Sequence, residues 1–160
     1  SIVFYNLHNC AAVHFIEADN SSYLCSNRKD STYIYMKNIA ETYWKRKKMP
    51  IPHLLLSDYE GRNVWSHKGI VHWRGMNICM VTDGYWRNKS ATNLLDIDYM
   101  YLCKGYKGEI APLQKLFHIK RIVLDASLGD YKSKAYKEEC KTLGLDYIDI
   151  SEKGSFRILL

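Results

Sequence analysis

The chain lacks the patterns that announce the commonest chemistries. Its six histidines, His8, His14, His53, His67, His72 and His118, never fall two to four residues apart, and no His-x-His-x-Asp-His run is present. Those are the spacings that bring several ligands to one metal. There is no Gly-x-Ser-x-Gly elbow, no P-loop and no Gly-x-Gly-x-x-Gly fingerprint, which removes the usual signs of a serine hydrolase or a phosphate-loop or dinucleotide-binding protein. The five cysteines contain no Cys-x-x-Cys pair, and their odd number argues against a complete disulfide framework. Cys10, Cys25, Cys79, Cys103 and Cys140 are scattered, mostly within apolar patterns, and are expected to be small buried hydrophobes, with a single bridge as the alternative. No apolar run approaches the roughly 20 residues that cross a bilayer, and no basic-then-apolar leader opens the chain. Internal repeats and low-complexity tracts are absent apart from one doubled unit near the end.

What is present suits one soluble α/β domain. At 160 residues and 47% hydrophobic content, such a chain buries roughly two thirds of its unfolded surface in a single core. Residues 1–50 predict a β-meander and a helix, residues 51–95 a set of short strands, and residues 96–160 a strand, loop and helix repeated once and closed by a short hairpin. The strands of the last part are expected at Ile97–Cys103, Arg121–Asp125 and Leu145–Ile150, from their β-branched and aromatic content. Pro112 to His118 suits a short helix with Leu113, Leu116 and Phe117 on one face. Tyr131 to Leu143 suits a longer one, with Ala135, Tyr136, Cys140 and Leu143 inward and Gly144 as its stop. Strands so separated imply right-handed parallel crossovers, whose binding crevice lies beyond the strand carboxyl ends. Two loops fall there, Lys104-Gly-Tyr-Lys-Gly108 and Asp125-Ala-Ser-Leu-Gly-Asp130. Upstream, Ser31 to about Lys48 predicts a helix burying Met36, Ile39, Ala40 and Tyr43. Met49-Pro-Ile-Pro52 ends it, and turns at Glu60-Gly-Arg-Asn63 and Lys68-Gly69 divide the strands of His53 to Trp73.

The order of these segments resembles a family. Asp96 to Leu160 is similar to the closing half of the metallo-β-lactamase-like domain that ends the ComEC competence proteins, the DNA-uptake channels of the bacterial inner membrane. The opening meander, Ile2–Leu7, Ala12–Ile16 and Ser22–Cys25, and the strand Met76 to Asp83 resemble further parts of that domain. Where ligand-bearing members carry Val-Gly-Gln-Gly-Asp and Asp-Gly-Gly, this chain has Leu7-His-Asn-Cys10 and Ser26-Asn-Arg28. Where they carry His-His-Gly and His-Pro, it has Lys104-Gly-Tyr-Lys-Gly108 and Asp130-Tyr-Lys-Ser133. Asp83 stands at the one ligand position that resembles the family's, a vestigial ligand or a turn former in Thr82-Asp83-Gly84, and the turn is the reading preferred. The resemblance therefore implies a small degenerate metallo-β-lactamase-like α/β domain, with mixed sheets and flanking helices, that needs no cofactor. The chain begins Ser1-Ile2-Val3 already in a strand pattern, so it is expected to be cut from a longer membrane protein whose upstream part is the channel.

Charge supplies the candidate site. The net charge is +6 and the pI near 9.0, a balance that favours nucleic acid or an anionic membrane face. Residues 1–80 hold ten basic and six acidic side chains, residues 81–160 thirteen and eleven. Lys45-Arg-Lys-Lys48 accounts for much of the first excess, and the dipole at a helix C-terminus favours cations there without any ligand. Tyr5, Tyr23, Tyr99, Tyr101 and Tyr147 fit sheet packing. Tyr106 differs, because flanking glycine and lysine suggest an exposed loop where Lys104 and Lys107 hold a phosphate while the ring stacks a base. Arg87, Asn88 and Lys89 would join from the loop after Asp83. A polar turn with solvated lysines is the bland alternative. Ser127, Asp125 and Asp130 are read as turn and cap residues.

The expectation is a non-catalytic domain contacting single-stranded DNA, or the membrane channel of the same polypeptide, through Arg87, Lys89, Lys104, Tyr106 and Lys107, with no small-molecule substrate. Two alternatives stand beside it. A metal-dependent nuclease or phosphodiesterase would need Asp83 to converge with His67 or His72. A structural docking module would touch no DNA at all.

Overall fold

Strands buried on both faces at the start of the chain build the first layer. The computed structural model describes residues 1–19, 21–26, 31–49, 51–55 and 58–160, and inside the first helix it leaves aside the side chains of residues 31–33, 35, 36 and 39. The expected burial of Met36 and Ile39, Asn27 and Arg28 of the opening signature and Pro50 of the helix break lie outside the described residues. β1 (Ile2–Phe4), β2 (Ala12–Ile16) and β3 (Ser22–Ser26) form the expected antiparallel meander. Val13 and Phe15 of β2 enter one apolar cluster while Ala12 enters another, so both faces of this sheet are covered.

Helix α1 (Ser31–Arg46) covers the outer face. Its Ala40 and Trp44 lie with Val3, Tyr5, Ala12 and Leu24. Trp44 Nε1 donates to the Tyr5 hydroxyl at 3.2 Å, which leaves that hydroxyl to donate to His14 Nδ1 at 2.8 Å. β4 (His53–Leu55) then adds in parallel to β3. β5 (Tyr59–Glu60), β6 (Val64–His67), β7 (Ile70–Trp73) and β8 (Met76–Val81) run as an antiparallel ribbon.

The rest of the chain pairs in parallel, except for its last strand. β9 (Leu95–Ile97), β10 (Tyr99–Leu102), β11 (Phe117–Ile119), β12 (Arg121–Leu124), α2 (Asp130–Leu143), β13 (Asp146–Asp149), the short α3 (Ile150–Lys153) and β14 (Phe156–Ile158) complete the described order. The larger sheet has seven strands in the order β13-β12-β10-β8-β7-β6-β5, and the smaller one five in the order β14-β1-β2-β3-β4. β8, β10, β12 and β13 are mutually parallel, as the crossovers require. Between the sheets lies a core of Phe4, Phe15, Trp73, Met80, Tyr101 and Val123 with their neighbours. The Phe4 ring meets Tyr101 edge-on, with centroids 5.1 Å apart. Each such side chain contributes about 1.5–3 kcal/mol by leaving water. The other face of the larger sheet buries Met100, Leu102, Ile122 and Leu124 against Tyr136 and Cys140 of α2. The result is a mixed α/β architecture of two sheets face to face with a helix outside each.

Several local expectations need correction. Asp98 breaks the strand expected over Ile97–Cys103: its carboxylate accepts from the Asn77 amide at 2.8 Å and from Lys120 Nζ at 2.6 Å. That kink lets β9 leave the main sheet and pair with β11. The stretch from Pro112 is not a helix through His118 but a 3₁₀ turn, Ala111–Lys115, followed by a strand. Leu113, Leu116 and Phe117 are buried nonetheless, so the apolar signal is real while its period is not that of an α-helix. Helix α2 stops at Gly144 as expected, in the left-handed conformation at φ 66°. Its inward face takes Ser133, Tyr136 and Cys140, while Ala135 points to solvent and Leu143 is half-buried. No hairpin closes the chain. α3 carries it across to the other sheet, where β14 pairs with β1. All five cysteines are buried, and Cys25, Cys79, Cys103 and Cys140 are free thiols.

Candidate functional site

The carboxyl ends of β8, β10 and β12 lie side by side, and their loops build one basic face. Gly105 is what joins the first two loops. A Cβ there would stand 1.6 Å from the Thr82 carbonyl oxygen, so only glycine permits the approach. The residues after β8 thus adjoin the Lys104–Gly108 loop.

Three side chains one helical turn apart clamp that loop to α2. Lys132 Nζ donates to the carbonyls of Lys107 and Gly108 at 3.3 and 3.0 Å, the Tyr136 hydroxyl donates to Gly108 at 2.8 Å, and Glu139 accepts from the Ile110 and Ala111 amides at 2.7 and 2.8 Å. Spacings of four and three put all three on one face. The Lys132 ammonium also lies 4.6 Å from the centre of the Tyr136 ring. Between loop and helix is a cavity of about 400 Å³ lined by Lys104, Tyr106, Lys107, Leu128, Gly129 and Lys132. None of these three lysines forms an ion pair among the described residues.

Tyr106 does not sit as the sequence suggests. It is 1% exposed, and its hydroxyl donates to the Glu109 carbonyl at 2.6 Å. The flanking glycines serve to fold the loop over the ring, since a Cβ at Gly108 would lie 2.4 Å from the hydroxyl. Burial raises its ionisation above the ordinary tyrosine range. In this arrangement the ring forms a wall of the cavity and offers no free face for a base. Sequence reasoning passes over a different aromatic. Tyr85 is 40% exposed, with Lys89 Nζ 4.5 Å and Lys68 Nζ 5.3 Å from its ring centre. Its edge contact with Trp86, which in turn meets Phe117, fixes the loop. The signal is there in Tyr85-Trp86-Arg87-Asn88-Lys89, an aromatic pair beside two cations. Arg87 and Lys89 are exposed on this same loop.

Asp83 is exposed and accepts from the Tyr85 amide at 2.9 Å, so it forms an Asx turn. His67 Nδ1 lies 2.7 Å from Asp58, and His72 Nδ1 2.7 Å from Asn77. Among the described residues no three His, Cys, Asp or Glu side chains gather where they would hold a metal. No such cluster among the described residues joins Asp83 to His67 or His72.

Behind the loops are two buried carboxylates in the same motif, Asp-x-Ser. Asp125 accepts from the Ser127 amide at 3.0 Å, from the Ser127 hydroxyl and from the Tyr101 hydroxyl. Burial still raises its pKa, against those hydrogen bonds. Ser127 Oγ in turn accepts from the Lys104 amide at 3.3 Å, so this acid positions the basic loop. Asp149 accepts from the Ser151 amide and hydroxyl and from Ser133, and Lys137 Nζ lies 2.6 Å away. Burial pushes this acid up as well, but Lys137 and the two serines outweigh it and hold the pKa below the usual range.

The fold and face so described define an α/β domain that presents cations and an aromatic at parallel strand ends. The family model of the ComEC C-terminal domain matches residues 2–160. The chain belongs to that family, whose setting is competence and DNA uptake at a membrane. No curated protein and no solved structure matches it. Among the described residues no helix is long and apolar enough to cross a membrane.

Proposed function

We propose that this domain is a non-catalytic, degenerate metallo-β-lactamase-type module of a DNA-uptake protein, and that it contacts the phosphates of single-stranded DNA through Arg87, Lys89, Lys104 and Lys107. The observation that carries the reading is the union of two basic loops at the Gly105–Thr82 contact, with the Lys104 and Lys107 ammoniums free of carboxylates among the described residues. Lysines placed so act on the backbone of a strand and read no sequence. Tyr85 takes the stacking role first expected of Tyr106, since its exposed ring lies between the cations of two turns. The degenerate character is supported by the hydrogen-bonded turn at Asp83 and by the contacts of His67 with Asp58 and of His72 with Asn77. The channel portion of the same polypeptide is the neighbour that would deliver the strand.

Fluorescence anisotropy with a labelled single-stranded oligonucleotide at low salt tests this. Binding should weaken steeply with salt, and Lys104→Ala with Lys107→Ala should flatten that slope by roughly 0.7 for each phosphate no longer neutralised. Tyr85→Ala should weaken binding about tenfold. Absence of binding, or binding indifferent to all three substitutions, overturns the reading.

A further inference from the structure

The cavity between the Lys104–Gly108 loop and α2 is lined by more lysines than a groove for a passing strand requires. We infer that it is a phosphomonoester pocket, which takes the terminal phosphate of a DNA strand or the 5′-phosphate of a free deoxynucleotide. This deepens the DNA-contact reading and rests on it, because Lys104 and Lys107 serve both.

Size, charge and donor geometry support the assignment. A volume of about 400 Å³ is at the lower end for small-ligand sites and suits one nucleotide or less. Its lining residues include three lysines that make no ion pair among the described residues, whereas an internal phosphodiester carries a single negative charge. A phosphomonoester carries about −1.5 to −2 at neutral pH, which matches the three better. Lys132 is pre-positioned: an ammonium has three donors, and two of them are engaged by the Lys107 and Gly108 carbonyls. One donor is left for a ligand oxygen, on an ammonium that also lies 4.6 Å from the centre of the Tyr136 ring. Tyr106 and Leu128 supply apolar wall, and Tyr106 Oη is already committed to Glu109. The amino end of α2 adds to these cations. Its cap residue is Gly129, no side chain caps it, and a Cβ there would meet nothing within 4 Å. Asp130, the first residue of the helix, is exposed and does not line the cavity.

Gly129→Asp separates a pocket from a merely basic surface. Its backbone, at φ −68° and ψ 156°, accepts any residue, and aspartate is a preferred N-cap. The variant should therefore fold at least as well as the parent, with an unchanged or higher Tm, while placing a carboxylate at the mouth of the cavity. Calorimetric titration of the 160-residue chain with deoxyadenosine 5′-monophosphate should show binding that falls by about tenfold or more in Gly129→Asp and in Lys132→Met. Anisotropy with one oligonucleotide bearing a 5′-phosphate, a 3′-phosphate or neither then assigns the source. A preference for a phosphorylated end, lost in Gly129→Asp, marks the strand terminus. Equal binding of the three together with nucleotide binding marks the free deoxynucleotide. If the nucleotide does not bind and the three oligonucleotides bind equally, the pocket assignment fails while the DNA reading stands. If the nucleotide binds and no oligonucleotide does, the DNA reading fails and the pocket stands. Nucleotide binding unaffected by Gly129→Asp overturns this location for it.

Discussion

Asp125 and Asp149 stand at adjoining ends of β12 and β13, each buried and each bonded to a serine two residues on. They differ in one charged neighbour. Lys137 reaches Asp149 from α2, while Asp125 has only neutral donors, Tyr101 and Ser127. The same motif therefore holds one carboxylate below the usual ionisation range and lets the other rise above it. Hydrogen bonds from neutral groups soften the cost of burying a charge, and here a cation is what reverses it. The two sites also face different tasks. The Asp149 pair locks α2 and α3 to the sheet, whereas Asp125 holds up, through Ser127, the loop that presents Lys104.

The largest test of this contrast removes the cation. Lys137→Met leaves Asp149 buried without its counter-charge, and should cost about 3 kcal/mol of stability in urea unfolding at neutral pH. A loss within experimental error would show that the serines alone suffice and would erase the distinction. Acid titration comes next. Asp149, depressed below its unfolded value, contributes stability that is present above about pH 4 and lost as pH falls through its folded pKa. Asp125, raised above its unfolded value, does the reverse: stability is gained as it is protonated and lost as pH rises through its folded pKa. Unfolding midpoints measured from pH 7 down to about pH 3, across the carboxylate range, should therefore fall less steeply in Asp149→Asn than in the parent, and more steeply in Asp125→Asn. Shifts of the same sign in both variants would contradict the contrast. The smallest effect concerns the serines. Ser127→Ala should cost about 1 kcal/mol, and Ser151→Ala less, because Asp149 keeps Lys137 and Ser133.

Little of this contrast is legible in the sequence. Asp125 reads as a turn residue at a strand end, but Lys137 and Asp149 lie on different elements with no spacing rule to link them, and only packing brings them to 2.6 Å. The same limit explains the other departures from expectation. The meander, the parallel strands and the stop at Gly144 are visible because they depend on local period and turn chemistry. The strand Phe117–Ile119 exists because a distant partner, Leu95–Ile97, is available to pair with it, and the proline before it resembles a helix start. Tyr106 is expected at the surface because its neighbours are glycine and lysine. Those glycines instead permit a close approach to Thr82 and to the ring itself, and no local propensity records that. Lys104 and Lys107 both line the cavity beside α2. The stacking candidate moves from Tyr106 to Tyr85, whose cations Lys68 and Lys89 come from separate turns.

The pairing of β14 with β1 has a mechanical consequence. Ile2 lies opposite Ile158 in an antiparallel ladder, and the Arg157 guanidinium donates to the Ser1 hydroxyl at 3.0 Å, so the two ends of the chain leave the domain at one spot and on neighbouring strands. A force drawing those ends apart would load the ladder hydrogen bonds one after another, as a zipper is opened, rather than all at once in shear. Unfolding under tension would thus begin by stripping β14 and exposing the inter-sheet core beneath Phe156. The parallel strands that carry the basic loops would be among the last to feel the pull.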